Sequence, residues 1–349
     1  MEKSTREIQQ AAKAFVKKWQ GRGKEKQDDK TFWEDLLEDV FGMPKARNEI
    51  AEDHFIWNRG TPLCSVPEMG IGNKPIDDGN YLFTEQEKNL FIAKEPASEP
   101  YFHPWYGADE FINRRPRYCL WLSDCTATEL NAMPQCKKRV QAVMDYRSKS
   151  RSPQTRELAL TPRRFHVENM PKGNYIIVPR VSSENRRYIP IGFMSPHAMA
   201  SDGVLLISDA SLYQFGVLES RVHMAWMRVV CGRLKSDFRY SAGIVYNNFP
   251  WPDATEEQKA AIEQTANRIL EARALEPEAS LADLYDPVSM PAPLVAAHRD
   301  NDRAVADAFQ IVLQLTDEEI ALELMRRYER IVTHKRRKNK SCKHQQIKR

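Results

Sequence analysis

The 349-residue sequence predicts an α+β fold: a mixed segment of short strands and helices, preceded by a helical hairpin and followed by a small all-helical segment. Three observations predict it. Short apolar or aromatic runs punctuated by Gly, Pro and Asn occupy the middle of the chain, the pattern of strands and turns. Apolar residues at helical spacing interrupt those runs and take over after residue 253. Capping-box pairs open two of the later helices.

Taken in chain order, Ile8, Ala12, Phe15 and Trp19 fall on one helical face, and GRGKEKQDDK then breaks the pattern. Phe32, Leu36, Leu37, Val40 and Phe41 form a second face that Gly42 can stop. A hairpin of about fifty residues is too small to be a whole domain. From residue 55 or so, GTPLCSVPEMGIGNKPIDDGN has the composition of turns and loops. Strands are expected at YCLWL (118–122), NYIIVP (174–179), YIPIGF (188–193) and GVLLI (203–207). Helices are expected over 128–149 and 209–231. The second carries Leu212, Phe215, Leu218, Val222, Trp226 and Val229 in one stripe, with Gly232 to end it. NNFPWPDAT closes this region with two prolines. Thr255 with Gln258 opens a helix that runs to about Leu275, and Thr316 with Glu319 opens another. The last sixteen residues, HKRRKNKSCKHQQIKR, hold eight bases and no acid and are expected to be disordered.

The composition, 42% apolar and 29% charged, is ordinary for a globular protein. No apolar run is long enough to span a bilayer, and the N-terminus MEKSTREIQQ is too polar for a signal sequence. The expected location is therefore cytoplasmic, without a membrane partner. Six cysteines show neither C-x-x-C nor zinc-like spacing, and the eight histidines form no H-x-x-x-H or H-E-x-x-H pattern. Reduced thiols and no metal site are expected. The net charge of +4 is unevenly spread: residues 101–250 hold 21 Lys/Arg against 12 Asp/Glu, and residues 251–333 hold 8 against 17. A basic middle suits a polyanion partner, although asymmetry of this size is also common in soluble proteins.

Catalytic signatures are missing. There is no glycine-rich phosphate loop, no G-x-S-x-G, no F-x-G-x-G and no [DN]-P-P-[YF]; NNFPWP has the wrong spacing for the last. Asp28-x-Lys30 lies in a polar loop without a strand pattern or an upstream Pro-Asp, so it does not make a metal-dependent nuclease site. No catalytic residue is assigned.

The most informative stretch is GRLKSDFRYS, residues 232–241. At period two, Arg233, Lys235, Asp237 and Arg239 share one side, and Leu234, Ser236, Phe238 and Tyr240 the other, as in a half-buried strand. In the major groove of DNA, Arg or Lys donates to guanine O6 and N7, whereas Asp accepts from cytosine N4. Lys235 and Asp237, roughly 7 Å apart on one strand face, could address both bases of one G·C pair, and Arg239 its neighbour. A solvated charge ladder fits the same spacing. The clusters Arg114–Arg115–Arg117, Lys137–Lys138–Arg139, Arg163–Arg164 and Arg186–Arg187 suit phosphate contact, or equally an ordinary solvated surface. Tyr101, Trp105 and Tyr106 fit core packing better than base stacking, and His223, Met224 and Trp226 fit a helix core or surface.

Several blocks resemble the MmeI-like family of type IIL restriction–modification proteins. AFVKKWQGRGKEKQDDKTFWEDLLEDVFG resembles the start of that family's N-terminal nuclease domain. GNKPIDDGNYLFTEQEK, WYGADEFINRRPRYCLWL, VSSENRRYIPIGF, LYQFGVLESRVHMAWMRVVCGRLKSDFRYS and YNNFPWP resemble its target-recognition domain, and LYDPVSMPAPLVAAHRDNDRAV its C-terminal helical domain. The resemblance implies a nuclease stub over 1–50, a target-recognition domain over 55–252, a helical domain over 253–333 and a basic tail over 334–349. It implies a double-stranded DNA partner, and base contact at Lys235, Asp237 and Arg239 after G-R-L. It likewise implies base contact at Arg180 before VSSENRR and at Asp202 in ASDG. Arg186, Arg187, Lys137, Lys138 and Arg139 are the candidate phosphate contacts. The family also carries adenine-N6 methylation with S-adenosylmethionine, and a Mg2+-dependent endonuclease. Here DVFGMPKARNEI passes straight to AEDHFIWNRGTPL, with a junction near Glu49–Asp53 and no room for the nuclease's catalytic half, the spacer or the methyltransferase. The expectation is a catalytically incomplete member that binds no cofactor itself. The alternatives are methyltransferase activity shared with a separate chain, and a non-functional remnant.

Overall fold

A computed structural model describes Ala14 and residues 56–346, with side chains placed through residue 335. The expected helical hairpin of residues 1–50 thus lies outside the described residues, Ala14 apart. Ile56–Arg349 is one compact unit, and its class is α+β. The chain runs through β1 (Met69–Ile71), β2 (Leu82–Phe83), α1 (Glu85–Lys94), β3 (Phe102–Tyr106), α2 (Ala108–Asn113) and β4 (Arg117–Leu120). Helices α3 (Ala127–Ala132), α4 (Pro134–Ser148) and α5 (Pro153–Glu157) precede β5 (Tyr175–Pro179), β6 (Val181–Ser182), β7 (Gly192–Met194), β8 (Met199–Ala200) and β9 (Val204–Ser208). After α6 (Leu212–Leu218) and α7 (Arg221–Val230) come β10 (Gly232–Leu234) and β11 (Asp237–Arg239). The helices α8 (Glu256–Ala274), α9 (Leu281–Leu284), α10 (Ala292–Phe309) and α11 (Asp317–Gln346) complete the fold.

Three sheets organise the described residues, in the orders β1-β9-β5-β7, β2-β4-β3-β8 and β10-β11-β6. The first is antiparallel throughout. Its β5 is buried on both faces: Ile176 and Val178 join the main core with Leu205 and Ile207, while Tyr175 and Ile177 join a small cluster with Ala200, Val204 and Leu206. A strand covered twice has no polar side to show, which is why NYIIVP lacks alternation. In YIPIGF the ladder starts only at Gly192, although Tyr188–Ile191 is buried; Pro190 has no N–H to pair. The second sheet packs Phe83, Trp105 and Leu120 with Trp121, Cys136 and Phe165. Trp105 is therefore core, as are His223, Met224 and Trp226.

Two expected helices are each broken in two. The 128–149 stretch divides at Met133–Pro134, where proline supplies no N–H to a continuing helix. The 209–231 stretch divides at Glu219–Ser220: Ser220 Oγ accepts from His223 N (3.2 Å) and so caps a new helix. Val229, assigned to the apolar stripe, is exposed, and Gly232 opens a strand instead of ending a helix. Both expected capping boxes form, Thr255 with Gln258 and Thr316 with Glu319.

Residues 253–333 are helical as expected, yet they share one hydrophobic core with the sheet before them: Ile176, Trp226 and Phe249 belong to the same cluster as Ile262, Phe309 and Tyr328. Gly216 permits the approach of α6 to α8, since a Cβ there would lie 2.7 Å from Ile262 Cγ2. The segment 334–349, expected to be disordered, is helical through Gln346. It extends a helix already anchored by buried Ile320, Leu324 and Tyr328, and basic residues are favourable near a helix C-terminus. The NNFPWP segment is a clamp. Asn248 Nδ2 donates to Trp57 O (2.8 Å) and Gly243 O (2.9 Å), and Asn247 Nδ2 donates to Arg59 O (2.8 Å).

Candidate nucleic-acid interface

GRLKSDFRYS is not one strand. β10 and β11 form a hairpin with Leu234 opposite Asp237, Arg233 opposite Phe238 and Gly232 opposite Arg239, joined by a two-residue turn at Lys235–Ser236. Side chains paired across a ladder share a face. The turn therefore undoes the expected row of four. Arg233 goes to the inner face with Phe238, which is 3% exposed, and Leu234 comes to the outer face with Asp237 and Arg239. Lys235 sits at the tip, outside the row, with φ 55°. That left-handed conformation costs a non-glycine residue about 1 kcal/mol, so the turn holds this lysine at the apex against its backbone preference. Asp237 and Arg239 keep their common face, two residues apart on β11.

The hairpin is docked on β6. Arg239 lies opposite Val181 and Phe238 opposite Ser182. Immediately before β6, the carbonyl of Arg180 accepts from Tyr240 N (2.8 Å), while Arg180 N donates to Gly203 O (3.3 Å). Its guanidinium Nη1 donates to the Asp202 carbonyl (2.8 Å). The structure thus ties two of the expected base-contacting residues together, Arg180 and Asp202, and sets two others, Asp237 and Arg239, on the neighbouring β11; Arg180 lies opposite Tyr240 and so on the other face from Arg239. Asp202 has a second neighbour, Lys74 Nζ, 3.9 Å from its carboxylate. Sequence reasoning missed Lys74, because nothing in the local pattern of GNKPIDDGN links it to so distant a partner.

A brace on the inner side was also missed. The Arg233 guanidinium lies 4.2 Å from the Phe238 ring centroid, donates to Ser236 O in the turn (2.9 Å) and is 3.6 Å from the Glu184 carboxylate. It ties the hairpin tip to the loop after β6. Only the cross-strand register, invisible to a single-strand reading, reveals this. Arg186 stands next to the same cluster, with Nη1 3.5 Å from Ser182 Oγ. Burial pushes its guanidinium pKa down, and the Asp237 and Asp286 carboxylates pull against that. Arg187 is exposed, lies 5.5 Å from the Tyr188 ring centroid and offers its carbonyl to Arg228 Nη2 (3.0 Å).

The other basic clusters are not in this group. Lys137 and Lys138 are exposed on α4, which packs in the second core cluster; Lys137 Nζ donates to Asn131 Oδ1 (2.9 Å). Arg139 is half-buried over the Phe83 ring at 4.9 Å, a packing position that competes with phosphate contact. Arg114 donates to the carbonyls of Pro277 and Ala279, and Arg164 pairs with Glu168. Those two arginines are engaged within the fold.

No group of three His, Cys, Asp or Glu among the described residues could hold a metal ion. No helix among the described residues is long and apolar enough to cross a membrane.

Comparison with known proteins agrees with this architecture. The family model of the MmeI target recognition domain matches residues 50–253, and that of the MmeI C-terminal domain matches residues 254–334. DNA methyltransferase A of Bacillus subtilis (strain 168) is 39% identical over 278 residues, covering 80% of this chain and 32% of that protein. The structure of the type IIL restriction–modification enzyme MmeI in complex with DNA is similar at a TM-score of 0.79 and 43% identity, covering 80% of this chain and 37% of that one. The chain thus spans about a third of the length of these relatives.

Proposed function

Because the chain belongs to the MmeI family, carrying its target recognition and C-terminal domains, we propose that it is the sequence-specific double-stranded DNA recognition module of a type IIL restriction–modification protein. What supports this reading is the neighbourhood of β11 and β6: Asp237 and Arg239 share the outer face of β11, Arg180 just before β6 bonds the Asp202 carbonyl, and Lys235 sits at the hairpin apex. These residues supply the donor and acceptor types that base edges in the major groove require. Arg186 and Arg187 flank them and would contact phosphates, setting register and salt dependence; exposed Lys137 and Lys138 would add phosphate contacts from α4, with Arg139 the weakest of that trio.

The test is binding-site selection on the full chain. Lys235→Glu combined with Asp237→Arg should change the preferred base pair at one position, each lost contact costing about 1–3 kcal/mol. The same selected sequence before and after the swap would rule the assignment out. A salt titration separates a reader from an inactive remnant, because phosphate-dependent binding weakens steeply as salt rises.

A second reading follows from the likeness to DNA methyltransferase A. The module would direct adenine-N6 methylation carried out with a separate methyltransferase chain, this chain holding no S-adenosylmethionine or Mg2+ itself. Calorimetry of the purified chain with S-adenosylmethionine should show no binding. Methylation of the selected site by this chain without a partner would overturn the reading.

A further inference from the structure

We infer that Leu234 is a specificity-determining contact, packing against a pyrimidine 5-methyl group in the major groove. The inference rests on the DNA-reading function proposed above and adds an apolar element to it. Leu234 is 50% exposed on the outer face of the hairpin, directly across the ladder from Asp237. Its neighbours on either side along β10 do not share that role: Arg233 lies on the opposite face, its guanidinium over the Phe238 ring and paired with Glu184, and Lys235 belongs to the turn. The outer face of the hairpin therefore presents an alkyl side chain next to a carboxylate, with Arg239 two residues along.

That juxtaposition has a match in the chemistry of a base edge. In the major groove the exocyclic amino group of cytosine lies beside its C5 position, and thymine carries a methyl group at C5. A carboxylate that accepts from an amino group places a leucine about 5 Å away across the ladder. It would lie over the C5 edge of that pyrimidine or of the next base step. An alkyl side chain there gains from burying a methyl group and leaves no polar atom unpaired. Pairing in the ladder fixes which face Leu234 occupies, since a one-residue slip would exchange the faces. The surrounding charges, Asp237, Arg239 and Lys235, make a hydrated and charged surface such as a DNA groove a better partner than an apolar protein patch.

The experiment uses the full chain and its selected site. Each thymine in turn is replaced by uracil, which removes only the 5-methyl, and each cytosine in turn by 5-methylcytosine, which adds one. In the parent protein one position should show binding strengthened by the methyl group by about fourfold. In Leu234→Ala that dependence should vanish, and in Leu234→Met it should persist, with the thermal midpoint of each variant confirming the fold. The uracil arm identifies thymine as the source of the methyl and the 5-methylcytosine arm identifies methylated cytosine. Methyl dependence that is unchanged in Leu234→Ala, or missing at every position of the parent, overturns the inference while the reading function stands. Failure of the selection to return any preferred sequence removes both.

Discussion

His223 shows how burial governs a single side chain in this protein. It is enclosed beside the β10–β11 hairpin, with Nε2 3.0 Å from the Tyr240 hydroxyl and Nδ1 without a partner. Burial pushes its pKa from 6.5 down to about 3. Between those values the unfolded chain binds a proton that the folded chain refuses, so this residue removes stability as pH falls from 6.5 towards 3. The thermal midpoint of the protein should therefore drop over that window. A His223→Gln variant, which can still bond Tyr240 but cannot titrate, should lack that part of the slope. The gap in midpoint between parent and variant should be largest near pH 8 and shrink by pH 5; a constant gap would contradict the assignment. Lys138 poses a simpler case. It is exposed, and if it contacts a phosphate, Lys138→Gln should weaken binding to every sequence alike and lower the salt slope by about 1.

At the scale of elements, the hairpin and its brace matter most. A three-stranded sheet with strands of two or three residues has little ladder of its own, and its rigidity depends on side chains. Arg233 supplies a cation–π contact, a bond into the turn and an ion pair to Glu184. As a positioning residue it should affect discrimination more than attraction. Arg233→Met is expected to weaken binding to the selected site while affinity for random duplex and the salt slope change little, with a stability cost of about 0.5–1 kcal/mol. An equal loss on both kinds of DNA would mean that Arg233 touches phosphate directly. Helix capping is legible in the residue order because it is local: Thr255 with Gln258 and Thr316 with Glu319 form the bonds their spacing implies. The hairpin is not legible in the same way, because KS is not a glycine- or asparagine-marked turn and an alternating pattern continues smoothly through it.

From Ile56 onward the chain forms one compact unit. The family boundary at 253/254 is not a packing boundary. Arg273 on α8 donates to Ile191 O (2.7 Å) and pairs with the buried Glu219 carboxylate (2.6 Å). Burial pushes Glu219 up to about 7 and Arg273 pulls against it, so a chain cut at 253 would leave an uncompensated buried carboxyl as well as half a core. A fragment of residues 56–253 should accordingly lack a cooperative thermal transition and near-ultraviolet circular dichroism, whereas a chain lacking residues 336–349 should keep both.

Residue order was sufficient for the α+β class, the apolar strands, the capped helices and the residue types available for DNA contact, because each depends on neighbours within about one helical turn or strand. Tertiary contacts decided which of those residues meet. The pairing of β11 with β6 set Arg239 opposite Val181, the Arg180 guanidinium bonded the Asp202 carbonyl, and the turn at Lys235 exchanged the faces of Arg233 and Leu234. Ladder register and long-range packing depend on partners far away in the chain, and no local periodicity encodes them.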